Sequence, residues 1–370
     1  MDTRMRSPTP LPTPPVTPRP TGPYYTITDF IGYSPYKLRV NPYYQPTAAI
    51  SEQWLDDHHV HPSARKRAAF EACNFGLLTA MCYPDADYER FRVLCDYINC
   101  LFAFDDLTDE GGLRKNGDGT KKASDIIMNA LTHPFSYETE FRCGQVFSSF
   151  WGRAVELGCT TGTQRRFLEY TDLYVQAVHE QVVHRAKNYI PPLEEFIRLR
   201  RDTGALKMCF AMGEFGLNVD IPDVVFECPQ IKIMEDCAND VVVLSNDIYS
   251  YNIEQAQGDT CNIIEAAMKE RGLDVQAAMD YAGELVKGRI DLYTATKAQL
   301  PSWGPKVDAD VQRYLRVCED WMTGGFHWSL ESKRYFGEQV TSVKKTLCVE
   351  ILPKEAPRGQ IAIPDLDRAS

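Results

Sequence analysis

The sequence predicts an all-α fold built as a single domain, and three observations carry that expectation. Apolar residues recur with a 3.6-residue period in segment after segment, most clearly in Tyr88, Phe91, Leu94, Cys95, Ile98, Leu101 and Phe102. No stretch alternates apolar and polar residues for long, and no internal repeat or interior linker divides the chain. At 370 residues, with 44% hydrophobic and 25% charged side chains, the composition is that of a soluble globular protein with a large core.

Taken in order, residues 1–23 repeat Thr-Pro and Ser-Pro steps without apolar periodicity, which predicts an extended, disordered tail. Aromatics with Pro35 and Pro42 then suggest a strap lying against the domain over 24–44. Helical signals begin near Ile50, and Pro62-Ser63 opens a helix expected over 64–81. Tyr83-Pro84-Asp85 stops it and caps the next, whose apolar stripe runs into Phe104-Asp105-Asp106-Leu107-Thr108-Asp109-Glu110. The glycine-rich segment 111–119 reads as a flexible loop. Further helices are expected at 124–131, 137–157, 163–187, 193–201, 205–215, 230–254, 262–270, 275–299, 308–323 and 328–336. The domain is thus placed at 24–348, with 349–370 a loose polar tail.

A net charge of −11 argues against nucleic acid or an anionic membrane as the main partner. No apolar run reaches spanning length, so stable membrane insertion is not expected. The 12 cysteines are scattered without a C-x-x-C pair, which predicts reduced core thiols, no zinc and a cytoplasmic protein.

Two polar constellations stand out. On a helix Asp105 and Asp109 share a face at i, i+4, and Asp106 and Glu110 repeat the pairing one step round. Such stacked carboxylates repel unless a cation reconciles them, and an oxygen cluster at a water-facing helix end suits Mg²⁺. Alone, the cluster reads equally as a solvated, frayed helix end. Asn246, Ser250 and Glu254 form the second set at i, i+4 and i+8, one stripe ~12 Å long. It follows the apolar run Val241-Val242-Val243-Leu244, so both oxygen sets belong at polar ends of buried helices around one cavity mouth holding several Mg²⁺ ions. Phe102, one turn before Asp105, should look into that cavity.

Asp105, Asp106 and Asp109 read as D-D-x-x-D, and Asn246, Asp247, Ser250 and Glu254 as N-D-x-x-S-x-x-x-E. With Arg334-Tyr335 downstream, in this order and at this spacing, the chain over roughly 25–345 resembles the class I terpene synthases, and among them the fungal sesquiterpene synthases. The resemblance implies a helical bundle around a central apolar cavity, with three Mg²⁺ ions held by Asp105, Asp106, Asp109, Asn246, Ser250 and Glu254. The substrate it implies is farnesyl diphosphate, ionised and cyclised by a monomer or homodimer. It casts Arg200 as diphosphate sensor, with Arg201 as alternate, beside a helix break near Gly204 whose backbone carbonyl faces the reacting carbon. Arg334 and Tyr335 become diphosphate contacts. A basic residue that relatives carry near the second motif is absent here, Asn252 and Ile253 standing in that region.

A carbocation needs walls that neither attack it nor admit water, and aromatic faces stabilise cations by about 0.5–2 kcal/mol each. Phe75, Phe102, Trp328 and Phe210 are the candidates, with Phe102 and Trp328 favoured by their motif neighbours. Two rivals remain in view. A chain-elongating prenyltransferase should carry a second Asp-rich motif where the asparagine-serine-glutamate set stands, and a non-catalytic helical binding module would not explain three ordered motifs.

Overall fold

A computed structural model describes residues 22–109 and 111–355. The expected N-terminal tail up to residue 21, Glu110 and residues 356–370 lie outside the described residues. Helices dominate, and among the described residues the strands are β1 (Tyr24–Thr26) and β2 (Cys348–Glu350), paired antiparallel with Tyr25 opposite Val349.

The helices are α1 (Phe30–Tyr33), α2 (Tyr44–Asp57), α3 (Ala64–Ala72), α4 (Phe75–Cys82), α5 (Tyr88–Asp109), α6 (Gly117–Thr132), α7 (Arg142–Glu156) and α8 (Thr161–Ala186). They continue with α9 (Leu193–Thr203), α10 (Leu206–Leu217), α11 (Asp223–Phe226), α12 (Pro229–Ala256), α13 (Ile263–Arg271), α14 (Val275–Lys297), α15 (Pro305–Ser329) and α16 (Val340–Thr346). One continuous apolar core joins them. The two long helices that carry the polar motifs, α5 and α12, are mostly buried through the turns that lead into their motifs.

Several departures from the sequence reading have identifiable causes. The helix expected over 64–81 is two helices, because Asn74 adopts a left-handed backbone (φ 53°) and its Oδ1 accepts from Leu77 N at 3.2 Å, capping α4. The loop expected over 111–119 is shorter: Leu113 is buried, and Asn116 Oδ1 accepts from Gly119 N at 3.0 Å, so α6 starts at Gly117 rather than near 124. The helices expected at 308–323 and 328–336 are instead one, α15, which runs through Gly324-Gly325 to Ser329. Those glycines do not break it: a Cβ at Gly324 would meet Met81 Cβ at 3.0 Å and Cys82 Sγ at 3.1 Å, so the first lets α4 pack closely. Arg334 and Tyr335 consequently lie in a turn beyond α15, not on a helix.

The tail expected to be loose from 349 is docked as far as Glu355. Asn252 Nδ2 donates to Glu350 O at 2.8 Å, and Asn252 Oδ1 accepts from Leu352 N at 2.9 Å. Gln255 Nε2 donates to Leu352 O at 2.8 Å, and Glu355 N to Ala256 O at 2.7 Å. Asn252 is therefore turned to the tail. Among the described residues, no helix is long and apolar enough to cross a membrane.

Candidate active site

α5 delivers its carboxylates from its last turns. Arg334 faces the first two across the cavity, with Nη2 3.3 Å from Asp105 Oδ2 and Nη1 3.5 Å from Asp106 Oδ1. These are long contacts, and the carboxylates keep 32% and 33% of their side-chain surface open. Burial, with Asp109 alongside, raises the Asp105 carboxyl above its ordinary range, although the open surface lets water moderate the shift. Asp109 is held differently: its Oδ1 accepts from Arg185 Nη2 at 2.8 Å.

The second set lies in the C-terminal part of α12, with Ser250 buried and Asn246 and Glu254 half-buried. Asn246 Oδ1 accepts from Arg200 Nη2 at 2.8 Å, and its Nδ2 donates to Tyr335 Oη at 2.6 Å. Asp247 accepts from Arg200 Nε at 2.8 Å and from Ile263 N at 2.9 Å, which ties it into the framework rather than the cavity. Glu254 Oε2 accepts from Asn262 Nδ2 at 2.9 Å. It has no ion-pair partner among the described residues, and burial beside Asp247 and Asp259 raises its carboxyl as well.

Arg200 reaches these groups from the last turn of α9. The chain then turns at Ala205, in the left-handed region at φ 60°, while Gly204 remains right-handed helical. The break thus falls one residue after the glycine. Gly204 is needed for proximity, since a Cβ there would come within 2.2 Å of Val243 Cγ1 on α12.

One cavity of about 390 Å³ gathers the expected residues: Phe102, Asp105, Asp106, Asp109, Arg200, Gly204, Asn246, Ser250, Glu254, Trp328, Arg334 and Tyr335 all line it. Beneath the polar rim Leu78, Leu101, Val178, Leu206 and Val243 supply an apolar wall. Phe102 stacks on Phe75 with centroids 4.0 Å apart, and Arg334 Cζ sits 5.0 Å from the Phe102 ring centroid. Trp328 Nε1 donates to Cys73 O at 2.8 Å, so the break between α3 and α4 fixes the indole.

Three expectations fall away. Arg201 turns away from the cavity to the buried Asp240 at 2.6 Å and to Asp236 at 2.9 Å, so of the two it is Arg200 that lines the cavity. Phe75 backs Phe102 instead of lining the cavity, and Phe210 is buried away from it.

The sequence reading missed Arg185, Arg114, Asp259 and Asn262. Arg185 Nε lies 2.9 Å from Asp259 Oδ2, and Arg114 Nη2 lies 3.2 Å from the same oxygen. Asn262 could have been anticipated as the N-cap of α13; the arginines carry no local signal.

The donor set fits hard divalent cations. The carboxylates of Asp105, Asp106 and Glu254 converge on the cavity beside the neutral amide and hydroxyl oxygens of Asn246 and Ser250, the hard-oxygen chemistry such ions take.

Residues 96–291 match the family described as terpene synthase family 2, C-terminal metal binding. The chain belongs to the terpene synthase family, among the fungal sesquiterpene synthases. It is 40% identical over 330 residues to sesquiterpene synthase Agr1 of Cyclocybe aegerita, covering 89% of this chain and 93% of that protein. It is 37% identical over 340 residues to alpha-muurolene synthase of Coprinopsis cinerea, covering 90% and 79%. In fold it resembles a-eudesmol synthase, with a TM-score of 0.73 at 20% identity over 81% of this chain and 98% of that one. Germacradien-4-ol synthase from Streptomyces citricolor gives 0.71 at 21% identity, over 80% and 96%. The all-α, single-domain expectation and the family resemblance both hold.

Proposed function

We propose that this sesquiterpene synthase ionises farnesyl diphosphate and cyclises the resulting allylic cation to a sesquiterpene hydrocarbon or alcohol, releasing diphosphate. The observation that carries this reading is the cavity itself, in which an aromatic and aliphatic wall adjoins two oxygen clusters together with Arg200 and Arg334. Asp105 and Asp106 on α5, with Asn246, Ser250 and Glu254 on α12, would hold Mg²⁺, in three ions as the family resemblance implies. When bound, Mg²⁺ neutralises the charge that builds on the departing diphosphate.

The protein's own groups do the rest. Arg334, loosely held by Asp105 and Asp106, is free to exchange those long contacts for diphosphate oxygens, its planar fork suiting a bidentate grip. Arg200 and Tyr335 already meet at Asn246, so they orient the diphosphate against the second motif. The backbone at Gly204 borders the cavity and offers its carbonyl dipole to the developing cation. Phe102 and Trp328 face the hydrocarbon, excluding water and stabilising positive charge.

A prenyltransferase is disfavoured because α12 presents an amide and a hydroxyl where a second carboxylate cluster would stand. Incubation with farnesyl diphosphate and Mg²⁺, followed by gas chromatography with mass spectrometry, should give a cyclic C15 product. A longer diphosphate, or no product, would overturn the reading, and C10 and C20 diphosphates tested alongside define the substrate length.

A further inference from the structure

The three aspartates of the first motif are not equivalent. Asp105 and Asp106 reach toward Arg334 over 3.3 and 3.5 Å, whereas Asp109 is hydrogen-bonded at 2.8 Å to an arginine whose side chain is only 4% exposed. Arg185 commits all three nitrogens. Nη2 holds Asp109, Nη1 donates to the carbonyl of Thr108 at 3.2 Å, and Nε lies 2.9 Å from Asp259. Asp259 belongs to the loop after the second motif: Gly258 precedes it at φ 70°, and its Oδ1 accepts from Cys261 N at 3.0 Å. Next along that loop is Asn262, whose Nδ2 donates to Glu254. Side-chain contacts therefore run from Asp109 through Arg185 to Asp259, and Asp259, bonded to Cys261 N, anchors the short loop whose last residue, Asn262, positions Glu254.

We propose that Asp109, Arg185 and Asp259 form a clasp that sets the spacing of the two metal-binding helix ends and seats the 257–262 loop over the cavity, so that Asp109 positions the site rather than ligating metal. The proposal rests on the metal-dependent reading above.

Charge balance supports the division of labour. Arg185 and Arg114 carry two positive charges against the two negative charges of Asp109 and Asp259, so the clasp is neutral as it stands. Drawing Asp109 into a metal shell would leave the Arg185 guanidinium buried with Asp259 as its sole carboxylate, and stripping a partner from a buried ion pair is strongly unfavourable. The clasp also brings positive charge to the loop side of the rim, where Gln257, Asp259 and Cys261 line the cavity without a lysine or arginine among them.

The test compares variants of the full chain in two readouts. Mn²⁺ bound in the presence of inorganic pyrophosphate is counted by electron paramagnetic resonance, and the products from farnesyl diphosphate are resolved by gas chromatography. Asp109→Asn should keep the wild-type number of ions with affinity changed less than about 3-fold, while Asp105→Asn loses ions. Asp109→Asn, Arg185→Gln and Asp259→Asn should share one product phenotype, a several-fold rise in water-captured acyclic alcohol. The Asp109→Asn/Arg185→Gln double variant should be no worse than the more severe single one. If Asp109→Asn loses ions as Asp105→Asn does, Asp109 is a ligand and the proposal fails; unchanged product ratios in all three variants overturn it equally. Should Arg185→Gln not fold, Arg185→Lys, which keeps the charge but not the fork, takes its place. A wild-type enzyme that makes no terpene would count against the substrate reading alone, because the ion count of Asp109→Asn still decides the clasp.

Discussion

The two polar ends of the cavity solve one problem in opposite ways. On α12 Asn246 and Ser250 sit within a 28-residue helix and Glu254 in its last turn. Asn246 is held by short hydrogen bonds with Arg200 and Tyr335, Glu254 by one from Asn262, and the neighbouring Asp247, bonded to Arg200 and Ile263, is only 2% exposed. On α5 the carboxylates occupy the final turns, about a third exposed, facing an arginine at the edge of hydrogen-bonding range. The α12 side is preorganised before substrate arrives, and the α5 side is balanced so that it can be rearranged. Preorganisation costs nothing at the moment of reaction, and an adjustable partner lets the site close once charge is present.

The largest effects should come from removing a group on either side. Asn246→Ala deletes an oxygen and its links to Arg200 and Tyr335, and turnover should fall at least about 10²–10³-fold with the helical circular dichroism intact. Asp105→Ala should match it, and excess chelator should abolish activity in the unmodified enzyme. Full activity in chelator would break the comparison at its root, since both ends would then be ordinary polar surface.

Arg334→Ala probes the adjustable side. Losing charged hydrogen bonds worth about 1.5–3 kcal/mol predicts a loss of roughly 10–100-fold in kcat/KM. Hydrogen exchange sharpens the contrast: amides around Asp105–Asp109 and Arg334 should gain protection only with Mg²⁺ and diphosphate together. Those near Asn246 should change little, being already buried in mid-helix. Leu113 and Thr120 are buried already, so the gain should stop short of α6. Equal protection at both ends would show that neither is preorganised.

How the sequence exposed this asymmetry is itself instructive. Both motifs were legible because i, i+4 spacing is a local property of one helix, and Arg334-Tyr335 because its order along the chain is informative. Arg185 was not legible: it meets Asp109 across 76 residues, and only the packing of α8 beside α5 brings them together. Glycine was a partial guide. The break expected near Gly204 is there, with α9 ending at Thr203 and the left-handed turn at Ala205. In contrast, α15 runs on through Gly324, which serves close helix approach, and the break at Asn74 falls on a left-handed residue that periodicity does not mark. The docked tail was missed for a related reason, since β2 and residues 351–355 bind through their backbone, to which composition is blind.

Phe102→Leu tests the wall beneath the adjustable end. Its ring lies under Arg334 and is stacked on Phe75, so losing it should redistribute products while kcat/KM falls less than about 30-fold, the range of a cation–π contribution. Trp328→Leu is a less clean probe, because the indole also bonds the α3–α4 junction through Cys73 and Asn74 and would perturb stability. An unchanged product ratio for Phe102→Leu would return that ring to simple packing.

The smallest effect on turnover, and the most discriminating for the preorganised end, should come from Asn252. Its amide uses both ends to hold the tail, donating to Glu350 O and accepting from Leu352 N, two positions before Glu254 on the same helix. If the rigidity of α12 is set by its own burial and by Asn262, then Asn252→Ala should cost about 1–3 kcal/mol of stability from the two lost hydrogen bonds. It should then leave the product ratio and the Mg²⁺ dependence of turnover near wild type. Thermal melting with the products assayed well below the transition separates the two quantities. A shift in product ratio or in Mg²⁺ dependence at full helicity would mean that the tail, through Asn252, helps to aim Glu254, and the α12 side would then share the adjustability assigned to α5.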